Sequence, residues 1–103
     1  MKPLIVPPAA QRDQDAVQML GAWIAEKGLH CSLNIGMWQD SGQDEPAAWG
    51  ILIADTIRHV ANALHERYGL ASDDVVSAIL GSLDAELGEP TSDTEGSFEH
   101  GHH

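Results

Sequence analysis

The chain has 103 residues, a length expected for one domain, and can bury about 65% of its unfolded surface in one modest core. Five basic and 16 acidic residues give a formal charge of −11, which argues against direct binding to nucleic acid or an anionic membrane, because phosphate contacts need a cationic face. One cysteine, Cys31, excludes an intrachain disulfide, and the longest apolar run, Ala47 to Ala54, falls far short of the ~20 residues of a membrane span.

Leu4-Ile5-Val6 is cut off by Pro7-Pro8, too soon for a signal-peptide core. With no sign of an oxidising compartment, the expected location is the cytoplasm. The segment from Met1 to Gln11 reads as an extended arm or short edge strand, since proline fixes φ and lacks an N–H. Leu4, Ile5 and Val6 are apolar enough to be expected against the body of the domain. A first helix is predicted over about Asp15 to Lys27. Asp13 or Asp15 would cap it, Gln18 adds a capping-box spacing, Val17, Leu20 and Ile24 form its stripe, and Gly28 stops it.

The period then changes. Leu29, Cys31, Leu33, Ile35 and Met37 alternate with His30, Ser32, Asn34, Gly36 and Trp38, the two-residue repeat of a half-buried strand. Ser41-Gly42 marks a turn. A long second helix is predicted from Asp44 or Glu45 to Gly69, with Pro46 in its first turn and Trp49, Ile53, Thr56, Ile57, Val60 and Leu64 on one side. A third starts at Ser72, with Asp73-Asp74 at the positive end of its dipole, carries Val76, Ile79, Leu80, Leu83 and Leu87, and ends at Gly88 and Pro90. The predicted domain is therefore residues 1–88. Residues 89–103 are acidic, contain histidines and hold one large apolar side chain, Phe98, so a disordered tail is expected there.

The expected fold class is α+β: three helices packed on one face of a small antiparallel sheet, in the order arm, α, β, α, α. A lone strand leaves its backbone polar groups without partners, and burying them unpaired costs ~1–3 kcal/mol each. The proline-rich arm can supply only a few bonds. Leu29, His30, Cys31, Ser32, Leu33, Asn34 and Ile35 are therefore the candidate dimer strand, pairing with their mates across a two-fold axis.

Pro7-Pro8-Ala9-Ala10, Trp23-Ile24 leading to Leu29-His30, and Pro46-Ala47-Ala48-Trp49-Gly50-Ile51-Leu52 with Ala54-Asp55 and Arg58-His59-Val60 resemble a family of bacterial proteins of about this length, catalogued as a domain of unknown function. The resemblance covers most of residues 4 to 88. It implies a complete small bacterial protein and lends no catalytic residues, because the family carries no established activity.

Few catalytic signatures occur. The glycines are scattered, with no phosphate-binding loop, and no Gly-x-Ser-x-Gly elbow is present. His65-Glu66 opens like a zinc-protease motif, but Gly69 stands where the second histidine belongs. Cys31 lies on the apolar phase of its strand, where a thiol is inert. Asp55, Arg58, His59, Asn62 and Glu66 form the candidate polar site or interface on the second helix: Asp55 and His59 are four apart, as are Asn62 and Glu66. They could seat a ligand or cation, although Asp55 could equally pair with Arg58 on a solvated face. His30, Ser32 and Asn34 make a second polar surface that could dock a ligand or peptide. Glu99-His100-Gly101-His102-His103 could hold a transition metal weakly, and no metal or cofactor is assigned. The expected function is a non-catalytic homodimeric module that binds another protein or regulates it. The alternative is a small-ligand or metal-binding protein, with enzymatic activity left open, that uses the polar face of the second helix.

Overall fold

The computed structural model describes residues 1–91 and 94–100. Its contacts group the chain into two compact units, Met1–Gly42 with Thr94–His103, and Gln43–Asp93. The element order is α1 Pro8–Arg12, β1 Leu20–Ala25, β2 Gly28–Ile35, α2 Met37–Asp40, α3 Glu45–Tyr68, α4 Ser72–Gly88 and β3 Thr94–His100. The fold class is α+β.

In the first unit, Pro8 begins α1, a position where its missing N–H costs nothing. Leu4 and Ile5 before it are 94% and 89% exposed, contrary to the expectation that they lie against the domain. The predicted helix over Asp15 to Lys27 is also corrected. Asp13 accepts a hydrogen bond from the Asp15 N–H at 2.9 Å and so nucleates a turn, not a helix. Leu20–Ala25 is then a strand, paired antiparallel with β2 from Leu20↔Leu33 to Ala25↔Gly28. Glu26 and Lys27 form the two-residue connection with φ of 50° and 64°, the left-handed pair that matches the twist of a tight hairpin. Neither residue is glycine or asparagine, so the turn left no mark in the sequence. Replacing Glu26-Lys27 by Asn-Gly should stabilise this hairpin by about 1 kcal/mol, checked by chemical denaturation.

The predicted strand, which ran to Trp38, ends three residues early, at Ile35. Gly36 takes φ 100° and turns Met37 and Trp38 into the short helix α2. The candidate dimer strand needs a larger correction. β2 is the central strand of a three-stranded sheet ordered β1-β2-β3, with β3 parallel to it from Leu29↔Thr94 to Ile35↔His100. The ladder of Leu29 to Ile35 is therefore flanked on both sides within one chain, and β2 offers no free edge to a second copy. The sheet is mixed rather than antiparallel, and Thr94–His100 is a strand where composition predicted a disordered tail. Residues 92–93 and 101–103 of that tail, including two of its histidines, lie outside the described residues.

Register sorts the side chains of this sheet. Leu20, Ala22 and Ile24 share a face with Leu29, Cys31, Leu33, Ile35 and Phe98. Gly21 and Trp23 share the other face with His30, Ser32, Asn34, Glu95 and Glu99. The predicted alternation of β2 thus holds, apolar on one face and polar on the other.

The second unit is a helical hairpin whose ends follow the sequence signals. The Asp44 carboxylate accepts from the Ala47 N–H at 3.1 Å and caps α3, and Pro46 sits in the first turn. Gly69, at φ 73°, closes the helix, its N–H donating to the His65 carbonyl at 2.9 Å. The His65 Nδ1–H in turn donates to the Leu70 carbonyl at 2.8 Å. Asp44→Ala should cost about 1 kcal/mol, read as a lower urea midpoint. α4 starts at Ser72 with Ala71, not Ser72, in the cap position, and Asp73 and Asp74 occupy its first turn. Beyond its end, Thr91 donates its N–H (2.9 Å) and its hydroxyl (2.6 Å) to the Glu86 carboxylate. These two bonds, the hydroxyl's foremost, hold the Glu86 carboxyl below its ordinary range. A depressed carboxylate stabilises the fold above its unfolded pKa, and the effect is lost as pH falls through the folded value. Thr91→Ala should move the Glu86 titration upward, visible by carboxyl NMR.

The helices α3 and α4 pack on each other. Among the described residues, Ala61 (1% exposed) and Val75 (8%) are the buried apolar ones. Ile51, Ile53, Val60, Leu80 and Leu87 of the same hairpin are all exposed, Leu87 at 77%. Two helices can cover only one stripe of each other, and the apolar arcs here are wider than that.

Candidate functional site: a depression on the polar face of the sheet

The structure gathers polar groups on the sheet of the first unit. Gln18, Gly21, Trp23, Ser32, Leu33, Asn34 and Glu99 line an open depression of about 580 Å³, within the ~300–1,000 Å³ of ligand pockets. Period-2 alternation puts Ser32 and Asn34 on this face. Hairpin pairing brings Gly21 opposite Ser32, and the parallel pairing of β3 brings Glu99 opposite Asn34. Gly21 leaves the floor open: a Cβ there would meet Gln18 Nε2 at 3.3 Å and Trp23 Nε1 at 3.7 Å. Gln18 Nε2 donates to the Leu20 carbonyl at 3.4 Å, which ties its amide to the rim.

Asn34 carries the main electrostatic anomaly. Its Oδ1 is buried and has no hydrogen-bond partner among the described residues. A buried acceptor left unpaired costs ~1–3 kcal/mol, and native folds leave few such groups without a reason. Farther along the same face, His30 Nε2 lies 3.9 Å from a Glu95 carboxylate oxygen.

The five residues singled out on the second helix all lie on α3. Asp55, Arg58, His59, Asn62 and Glu66 are exposed. Arg58 donates to the Asp55 carboxylate, a surface pair worth little to stability. Among the described residues no group of three or more His, Cys, Asp or Glu side chains is arranged to hold a metal ion. Cys31 is a free, half-buried thiol on the apolar face of β2. Trp49 Nε1 donates to the buried Glu45 carboxylate at 3.2 Å.

Of the depression, Ser32 and Asn34 were legible in sequence, along with their neighbour His30. Gln18, Gly21 and Trp23 were not, because β1 reads equally as a helix. Glu99 was missed because nothing in a polar tail announces a parallel strand. Among the described residues no helix is long and apolar enough to cross a membrane.

Similar solved structures include one named "putative pyruvate dehydrogenase" from the photosynthetic bacterium Rhodopseudomonas palustrus. It is 26% identical, with a TM-score of 0.67 and 90% of each chain covered. Comparison with curated proteins finds no match. The sequence model of one family, Domain of unknown function (DUF5076), matches residues 3–91, and the chain belongs to that family.

Proposed function

We propose that this protein is a non-catalytic module that acts by association, pairing with a second copy of itself and presenting the paired surface to another protein in a regulatory role. One observation carries the reading: the helical hairpin buries only Ala61 and Val75 among its apolar residues while Ile51, Ile53, Val60, Leu80 and Leu87 stay exposed. The occupant is argued from spacing. Trp49, Ile53, Thr56 and Val60 follow one another at intervals of four, three and four along α3, the seam spacing of helices that pack side by side. Asp55, Arg58, His59 and Glu66 fall off that seam. A second copy offers the identical stripe, as a two-fold interface requires. This pairing uses α3, not β2.

Light scattering after gel filtration at tens of micromolar tests it, with a dimer expected. Ile53→Asp combined with Val60→Asp should weaken pairing by about 100-fold or more, since each charge would be desolvated in the seam. The hairpin unit, Gln43–Asp93, carries ten acidic and two basic residues, so pairing should tighten as salt screens the repulsion. A strict monomer in both low and high salt would overturn the reading. Glu99 on the sheet depression would repel an anionic substrate such as pyruvate, which argues against the activity named for the Rhodopseudomonas protein.

A further inference from the structure

We infer that the outer edge of β1 pairs antiparallel with β1 of a second copy, about a two-fold axis at Ala22. This goes beyond the helical seam proposed above and does not rest on it, because β1 belongs to the other unit. The order β1-β2-β3 leaves β1 at an edge of the sheet. Asn34 donates its N–H to the Met19 carbonyl at 3.0 Å, and in an antiparallel ladder such bonded pairs recur at every second residue. Gly21, Trp23 and Ala25 therefore direct their backbone polar groups toward β2, while Leu20, Ala22 and Ile24 turn theirs outward. The Leu20 carbonyl shows the same direction. It accepts from the Gln18 side-chain amide at 3.4 Å, a long bond that a backbone donor would displace.

The occupant follows from the strand itself. The six residues of β1 include no charge and no proline, the usual devices that keep an edge from pairing. They are also self-complementary. With Ala22 against Ala22 of the second copy, Leu20 meets Ile24 on the apolar face, where both are exposed, Ile24 at 84%. On the other face Gly21 meets Trp23 in a non-hydrogen-bonded pair, the kind in which side chains approach more closely. Trp23 Nε1 already lies 3.7 Å from where a Gly21 Cβ would stand, so the two indoles come together beside the axis. The opposite edge is protected from the same pairing. Joining β3 to itself about its centre, Ser97, would set Glu95 of each copy against Glu99 of the other, and like charges directly opposite are destabilising. A six-residue strand pair is small beside the ~1,200–2,000 Å² of a stable interface. Half-saturation is therefore expected at roughly 0.1–1 mM, above the concentration at which the seam is tested.

The test follows the full chain by NMR at about 0.02 mM and about 1 mM. Amide exchange of Leu20, Ala22 and Ile24 should slow by about threefold or more at the higher concentration. In a mixture of labelled and unlabelled chains, an intermolecular contact between Gly21 Hα and Trp23 Hα is expected, which an α3 seam does not produce. Ile24→Lys sets a charge opposite Leu20 at an exposed position, and should abolish both signals while leaving the thermal midpoint unchanged. Ala22→Pro, which removes a donor that β2 does not use, should do the same. Ile53→Asp with Val60→Asp should leave both signals in place, so the strand contact and the seam fail separately. Exchange that does not depend on concentration would overturn the pairing and leave the edge to a strand of another protein. Protection that survives Ile24→Lys, or loss of both signals on the α3 substitutions, would overturn it as well.

Discussion

Ala61→Asp is expected to unfold the α3–α4 hairpin or cost it about 3–5 kcal/mol, the penalty of an uncompensated buried charge. Ala61 is 1% exposed and is the most buried residue of a unit whose only other buried apolar residue, among those described, is Val75. Small domains have a total stability of about 5–15 kcal/mol, so one such change removes a large share of it. Ala61→Leu separates crowding from charge. It keeps the position apolar but adds carbon atoms where the two helices approach, and should cost about 1–3 kcal/mol. Urea unfolding followed by circular dichroism checks both, with Ala61→Leu lowering the midpoint at an unchanged slope. If both variants unfold at the wild-type midpoint, Ala61 is not the contact that holds the helices together.

Gly96→Val should detach β3 from the sheet. Gly96 pairs with Cys31 across the parallel ladder, and a Cβ built there would run into the Cys31 backbone, its carbonyl oxygen first. Its φ of 138° is also one that side-chain-bearing residues rarely adopt, and forcing a valine into it costs about 1–3 kcal/mol. Neither problem has a flexible neighbour to absorb it, because the obstructing atoms are main chain. The expected result is loss of hydrogen-exchange protection on the β3 side of β2, with the β1–β2 hairpin retained. Protection that survives the substitution would mean that β3 tolerates a side chain at this position.

The two units differ in how much of them could be read in advance. The ends of α3 are written in local chemistry: Asp44 reaches the Ala47 N–H, Pro46 suits the first turn, and Gly69 supplies the left-handed close. These signals act over four residues or fewer, so they need no knowledge of the rest of the chain. The alternation from Leu29 to Ile35 is legible for the same reason. β1 reads as a helix because Val17, Leu20 and Ile24 satisfy a helical stripe, while Leu20, Ala22 and Ile24 satisfy a strand equally well. Six residues are too few for the period to decide. The deciding feature was the turn at Glu26-Lys27, whose left-handed backbone has no glycine or asparagine to betray it.

The depression shows the same division. Ser32 and Asn34 followed from periodicity within β2, but the partners that make them a site come from β1 and β3.

The residues by themselves determined the acidic balance, the caps of α3, the extents of the two long helices, the faces of β2 and an apolar surface larger than two helices can bury. Tertiary structure alone decided that β2 lies between two strands of its own chain, that a polar tail returns as a parallel neighbour, and that Glu99 comes to rest beside Asn34. Caps and periodicity are short-range and are paid for locally. Strand pairing joins residues some 65 positions apart, from Leu29 to Thr94, where hydrogen-bond geometry rather than side-chain pattern selects the partner.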